Sequence, residues 1–110
     1  MVCRLLRRRC VYIEEADDGV SAVQKVRDCL AAPFADTLFD VVLIDYEMPE
    51  LNGPEAVCQM RELQYTGLVI GLTGHVGSQD VAVFMDHGAD HVLSKPFDAK
   101  QFDMLIRRYF

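Results

Sequence analysis

The stretch "FDVVLIDYEMPELNG" (residues 39–53) places an aspartate, a Met-Pro pair and an Asn-Gly pair directly behind a continuous apolar run. An apolar run of this length, bounded by turn signals, reads as a strand buried on both faces. Asp45 therefore sits at the carboxyl end of that strand, and the two backbone breaks behind it turn the chain into its next element. That element is "GPEAVCQMRELQ" (53–64), in which Pro54 opens a helix whose Val57, Met60 and Leu63 share one face.

The same alternation recurs outward from this unit. "CVYIE" (10–14) is short and β-branched, and "DDGVSAVQKVRDCL" (17–30) follows with Val20, Val23, Val26 and Leu30 at helical spacing. "LVIGLTG" (68–74) is a second buried strand, and "SQDVAVFMDHG" (78–88) is a helix with Ser78 as its N-cap candidate and Gly88 as its stop. "DHVLSKPF" (90–97) is the last strand. "DAKQFDMLIRRYF" (98–110) is a helix with Phe102, Leu105, Ile106 and Tyr109 on one face, Asp98 and Gln101 as a capping box, and Arg107 and Arg108 at the negative end of the dipole. The opening "MVCRLLRRRC" reads as the last turns of a helix, with Val2, Leu5 and Leu6 toward the core. Its apolar residues are interrupted by Arg4 and Arg7–Arg9, so the apolar stretch of about 7–15 residues that a secretory signal needs is not expected here.

With 110 residues, 51% of them hydrophobic and 25% charged, the chain is expected to form one domain over 1–110. The net charge of -6, spread along the chain, argues against a nucleic-acid groove or an anionic membrane surface. No apolar segment approaches the ~20 residues of a membrane span, so no membrane insertion is expected. Cys3, Cys10, Cys29 and Cys58 have neither paired nor metal-type spacing, and reduced thiols in a cytoplasmic setting follow. His87 and His91 are four apart, but Gly88 between them breaks the helix that a metal-binding pair would need. Together with His75 they are expected to be solvated or partly packed.

Strands that read as unbroken apolar runs and alternate with helices predict an α/β fold, a doubly wound parallel sheet with helices on both faces. Ligands of such sheets gather outside the carboxyl ends of the strands. Asp45, Thr73 and Lys95 end three successive strands there. A carboxylate, a hydroxyl and an ammonium on one edge make a phosphoryl site: the carboxylate acts as nucleophile or metal ligand, and the other two stabilise phosphoryl oxygens.

These residues resemble the receiver domains of two-component response regulators, which have the flavodoxin-like strand order 2-1-3-4-5. "LIDYEMPELNG" is similar to the family's phosphoacceptor segment, "GLTG" to its switch-threonine strand, and "HGADHVLSKPF" to its closing strand with the Lys-Pro pair. The resemblance implies that Asp45 accepts phosphate from a phosphohistidine of a histidine kinase or histidine phosphotransfer domain. It also implies that Thr73 hydrogen-bonds the phosphoryl group, that Lys95 pairs with it, and that the Lys95-Pro96 peptide is cis. The segments "RDCLAAPFADTLFD" and "NGPEAV" look like receivers of hybrid sensor kinases. No histidine sits in a phosphodonor-like segment, so the chain is expected to be a signalling acceptor rather than a dedicated enzyme.

The chain departs from the family pattern at its start. Receivers open with a strand ending in an acidic pair that holds Mg²⁺ together with the phosphoacceptor. Aligned by motif, "VCRLLRRR" falls on the end of the family's first helix and "CVYIEEADDG" on its second strand, so the fold is expected to be N-terminally truncated. Asp17-Asp18 imitates the missing pair, but only one helix separates it from Asp45, and a strand–helix–strand unit takes ~30 residues. It is expected to cap the helix at 19–31. The expected sheet is four parallel strands near 10–15, 39–44, 68–72 and 90–93. Position 92 is valine where many receivers carry a mobile aromatic. The metal set is then Asp45 and the backbone carbonyl of Glu47, so Mg²⁺ binding is expected to be weak or absent, with rescue by Glu15 or Asp17 if strand 10–15 shifts. Two functions remain: a phosphoacceptor receiver, or a degenerate receiver that binds partners without phosphorylation. A chain that begins late within a longer product is the third.

Overall fold

The computed structural model describes residues 2–6, 9–14, 18–31, 41–47, 50–74 and 78–109, with backbone alone for 2–6 and 9–14. The central strand β3 (Val41–Asp45) buries Val41, Val42, Leu43 and Ile44. Successive side chains of a strand point to opposite faces, and here both faces are covered. Val42 and Ile44 pack with Val23, Val26, Val57, Met60, Val69 and Phe84, which come from α1 (Gly19–Ala31), α2 (Gly53–Glu62), β4 (Leu68–Thr73) and α3 (Ser78–Asp86). Val41 and Leu43 pack on the other side with Leu68, Ile70 and Ile106, the last from α4 (Ala99–Tyr109). This two-sided burial is why the strand carries no polar alternation until Asp45.

β3, β4 and β5 (His91–Ser94) form a parallel core, in register from Val41↔Leu68 to Asp45↔Leu72 and from Ile70↔His91 to Thr73↔Ser94. The adjacent, parallel pairing of 41–45 with 68–73 is as expected, and so is the doubly wound arrangement of helices.

The amino-terminal half corrects two expectations. Residues expected to end a helix form strand β1 (Val2–Leu6), and the segment at 10–15 belongs to β2 (Arg9–Glu14), which is antiparallel to β1. β1 in turn runs antiparallel to β3 through Val2↔Val42 and Cys3↔Val41. The sheet is therefore β2-β1-β3-β4-β5 with three parallel strands and a hairpin, in place of four parallel strands. A five-residue segment is too short for its periodicity to distinguish helix from strand. Without β1, that edge of β3 would leave backbone groups unpaired, and they take up a neighbouring segment. Only two residues separate β1 from β2, and such a connection permits only an antiparallel pair. β2 consequently points the same way as β3 from two places over, with β1 reversed in the slot between them.

Local signals explain the helix boundaries. Asp18 caps α1, its Oδ1 accepting from Ser21 N–H at 2.7 Å, as expected. Asn52 caps α2 by accepting from Glu55 N–H at 2.9 Å, and Pro54 is the second residue of that helix. Gly88, at φ 115°, stops the chain after α3. Asp98 accepts from Lys100 N–H at 2.9 Å at the start of α4, while Gln101 lines a groove beside β5. Cys29 is buried and Cys58 half-buried. His91 meets the Tyr109 ring edge-on, and His87 Nδ1 lies 2.7 Å from the Val83 carbonyl oxygen. The expectations for Glu15, Asp17, Met48-Pro49, His75 and the side chains of Cys3, Cys10 and Ser78 lie outside the described residues.

Candidate functional site

Asp45, Thr73 and Lys95 meet at the carboxyl edge of the parallel core. Each strand's ladder runs one step past its last pair: Tyr46 N–H donates to the Leu72 carbonyl and Lys95 N–H to the Thr73 carbonyl, both at 2.8 Å. These bonds hold the ends of three strands in one register, so the three side chains are placed by sheet rather than by loop. The Lys95-Pro96 peptide is cis, as the sequence resemblance implied.

The Asp45 carboxylate is held at both oxygens. Oδ2 lies 2.5 Å from Lys95 Nζ, and Oδ1 accepts from the backbone N–H of Glu47 at 3.1 Å. The side chains of Lys95 and Asp45 are 41% and 31% exposed, so the pair is reachable from solvent. An ion pair so exposed contributes only about 0–1 kcal/mol to stability. Its consequence is chemical: a cation stands where an anion arriving at Asp45 would need one. Thr73, in contrast, is only 2% exposed, and its hydroxyl donates to Asp80 Oδ2 at 3.4 Å.

The Asn52-Gly53 break behind Asp45 has a structural reason. A Cβ on Gly53 would lie 2.2 Å from the carbonyl oxygen of Asp45, so only glycine lets α2 begin this close to the strand end. Gly53 N–H donates to the Tyr46 carbonyl at 2.8 Å, and Asn52 caps the helix one residue earlier. Phe84 of α3, fully buried, stacks edge-on with Tyr46 at 5.4 Å between centroids. It fits because Gly71 is bare: a Cβ there would come within 2.7 Å of the ring.

Sequence reasoning missed Asp80, Phe84 and Gly71 as supports of the site. Gly71, inside an otherwise apolar strand, was the available signal, since such a glycine marks a close approach. Arg61 was missed as well. It donates to the carbonyls of Gly88, Tyr65 and Gly67 and to Asp90 Oδ2 at 2.7–3.0 Å, and Asp90 also accepts from Val69 N–H at 2.9 Å.

For a divalent metal, Asp45 supplies a carboxylate and Glu47 is two residues on, with its side chain exposed. Among the described residues no group of three or more His, Cys, Asp or Glu is placed to share an ion. Reversal of β1 puts its amino end, not a carboxyl end, beside β3. Mg²⁺ takes near-octahedral oxygen ligands, and the described residues alone do not compose that set.

The family model described as "Response regulator receiver domain" matches residues 1–107. The chain is 33% identical over 97 residues to the two-component response regulator ORR41 of Oryza sativa subsp. japonica, covering 88% of this chain and 72% of that protein. It is 27% identical over 106 residues to transcription factor SKN7 of Saccharomyces cerevisiae, covering 96% of this chain but only 16% of that protein. Among solved structures, the receiver domain of the histidine kinase CKI1 from Arabidopsis thaliana, complexed with Mg²⁺, superposes with a TM-score of 0.80 at 27% identity. That match covers 92% of this chain and 75% of the other.

Proposed function

We propose, from the premise that this chain belongs to the response regulator receiver domain family, that Asp45 is its phosphoacceptor, with Lys95 and Thr73 as its phosphoryl-binding partners. The single observation that supports this most is the Lys95–Asp45 pair at the carboxyl edge of the parallel core. A carboxylate oxygen of Asp45 attacks the phosphorus of a phosphohistidine. The P–N bond breaks, its electron pair returns to the imidazole, and the new O–P bond makes an acyl phosphate. Lys95 then shifts its charge from carboxylate to phosphoryl oxygens, and the Thr73 hydroxyl turns to donate to one of them.

Mg²⁺, when bound, would neutralise charge on the phosphoryl oxygens, and Asp45 with the Glu47 backbone carbonyl would hold it. With so few donors among the described residues, the chain binds Mg²⁺ weakly and phosphorylates slowly. The donor is a histidine kinase or histidine phosphotransfer domain, and the reaction is cytoplasmic. No helix among the described residues is long and apolar enough to cross a membrane. The net charge of -6 supports a domain that does not itself contact nucleic acid.

Borohydride trapping after incubation with a phosphodonor, read by mass spectrometry, is the test. Label is expected at Asp45 alone. Label that persists in Asp45→Ala would sink the assignment, and no label under any donor would leave a degenerate receiver acting as a binding module.

A further inference from the structure

Thr73 and Asp80 form a bond beside the site that phosphorylation has to disturb. Thr73 ends β4, and its hydroxyl, on a nearly solvent-free side chain, donates to Asp80 Oδ2 at 3.4 Å. Asp80 lies in the first turn of α3 and is half-buried. A threonine hydroxyl has one proton to donate, and a carboxylate only accepts. A hydroxyl that donates to Asp80 therefore has no proton left for a phosphoryl oxygen on Asp45. The two acceptors exclude one another.

We propose that Asp80 is a positioning residue that holds the Thr73 hydroxyl in the unphosphorylated chain and competes with the phosphoryl group for its proton, so that phosphorylation of Asp45 unties the first turn of α3 from β4. This rests on Asp45 being the phosphoacceptor. The length of the bond suits the role, because 3.4 Å is well beyond the usual 2.5–3.0 Å for O–H···O, roughly, and such a tie is exchanged at little cost. The released carboxylate has somewhere to go: an anion in the first turn of a helix is favoured by the helix dipole and is reached by water. α3 also carries Phe84, which packs edge-on against Tyr46, the residue after Asp45. The helix thus meets the site both through a polar tie that phosphorylation breaks and through apolar packing that it leaves.

A double-mutant cycle tests this, with beryllofluoride and Mg²⁺ as the phosphoryl mimic and the full chain in four forms: wild type, Asp80→Ala, Thr73→Val and both together. Apparent affinity is read by amide chemical shifts. Asp80→Ala is expected to tighten the mimic about two- to threefold, the low end of what one net hydrogen bond contributes, as suits a tie of this length. Loss of a negative charge near an anion would also tighten binding, but that part persists in the Thr73→Val background, whereas the competition for the proton does not. The tightening should therefore shrink to a smaller residue there. Asp80→Asn, which keeps an acceptor and drops the charge, should fall between wild type and Asp80→Ala. Equal tightening in both backgrounds, or none in either, with binding still lost in Asp45→Ala, would overturn the role of Asp80 alone. Binding of the mimic that is unaffected by Asp45→Ala, or absent from the wild type, would overturn the phosphoacceptor reading and this proposal with it.

Discussion

Lys95 reaches Asp45 across a strand that belongs to neither: its Nζ lies 2.5 Å from Oδ2 although β4 separates β3 from the end of β5. The stem of Lys95 spans that strand over Gly74, where an added Cβ would stand 3.9 Å from Lys95 Cδ. The charge is thus delivered to the acceptor from the far side of the site, and the ladder bond from Lys95 N–H to Thr73 fixes where the stem begins.

Lys95→Ala separates chemistry from stability. The pair is largely solvent-screened, so the unfolding free energy should move by no more than about 1 kcal/mol in urea. Phosphorylation by acetyl phosphate should fall at least about tenfold, since the cation facing the incoming oxygens is gone. A large loss of stability with unchanged labelling would reverse this ordering.

Labelling should rise slowly with metal. Across a Mg²⁺ series, phosphate-affinity electrophoresis after acetyl phosphate treatment is expected to show partial modification that has not saturated at millimolar metal, because the donor set among the described residues is thin. Stoichiometric labelling at millimolar Mg²⁺ would contradict weak binding.

Gly71→Ala should destabilise the fold by about 1–3 kcal/mol, because its methyl would meet the Phe84 ring at 2.7 Å in a region with no room to give. Phe84→Leu removes the obstacle at the cost of a cavity. Thermal or urea unfolding of the double variant should show a loss smaller than the sum of the single losses by about 0.5 kcal/mol or more.

Arg61→Ala should cost about 2–4 kcal/mol, mostly through the Tyr65, Gly67 and Gly88 carbonyls that it leaves without their donor. Arg61→Lys should recover little, since an ammonium cannot serve these acceptors in the fixed fork of a guanidinium. Near-complete rescue by lysine, measured by urea unfolding, would show that charge opposite Asp90 is what matters.

From β3 onward the fold was legible in the sequence because its signals are local or one-dimensional. Val41–Ile44 had to be apolar on both faces, α4 had to repeat Phe102, Leu105 and Ile106, and Asn52-Gly53 had to sit where a cap and a close approach coincide. Strand ends are countable too, so Asp45, Thr73 and Lys95 could be placed on one edge before any coordinate was known. What periodicity could not decide was the direction and partner of the first residues: Val2–Leu6 is too short to carry a period, and its pairing was chosen by the open edge of β3. Nor could the sequence show that Asp80 holds Thr73, that Phe84 needs Gly71, or that Arg61 closes on Gly88 and Asp90. Those contacts join residues from different elements, and their geometry exists only after the helices have packed on the sheet, where burial makes each polar group find a partner and each ring find a space.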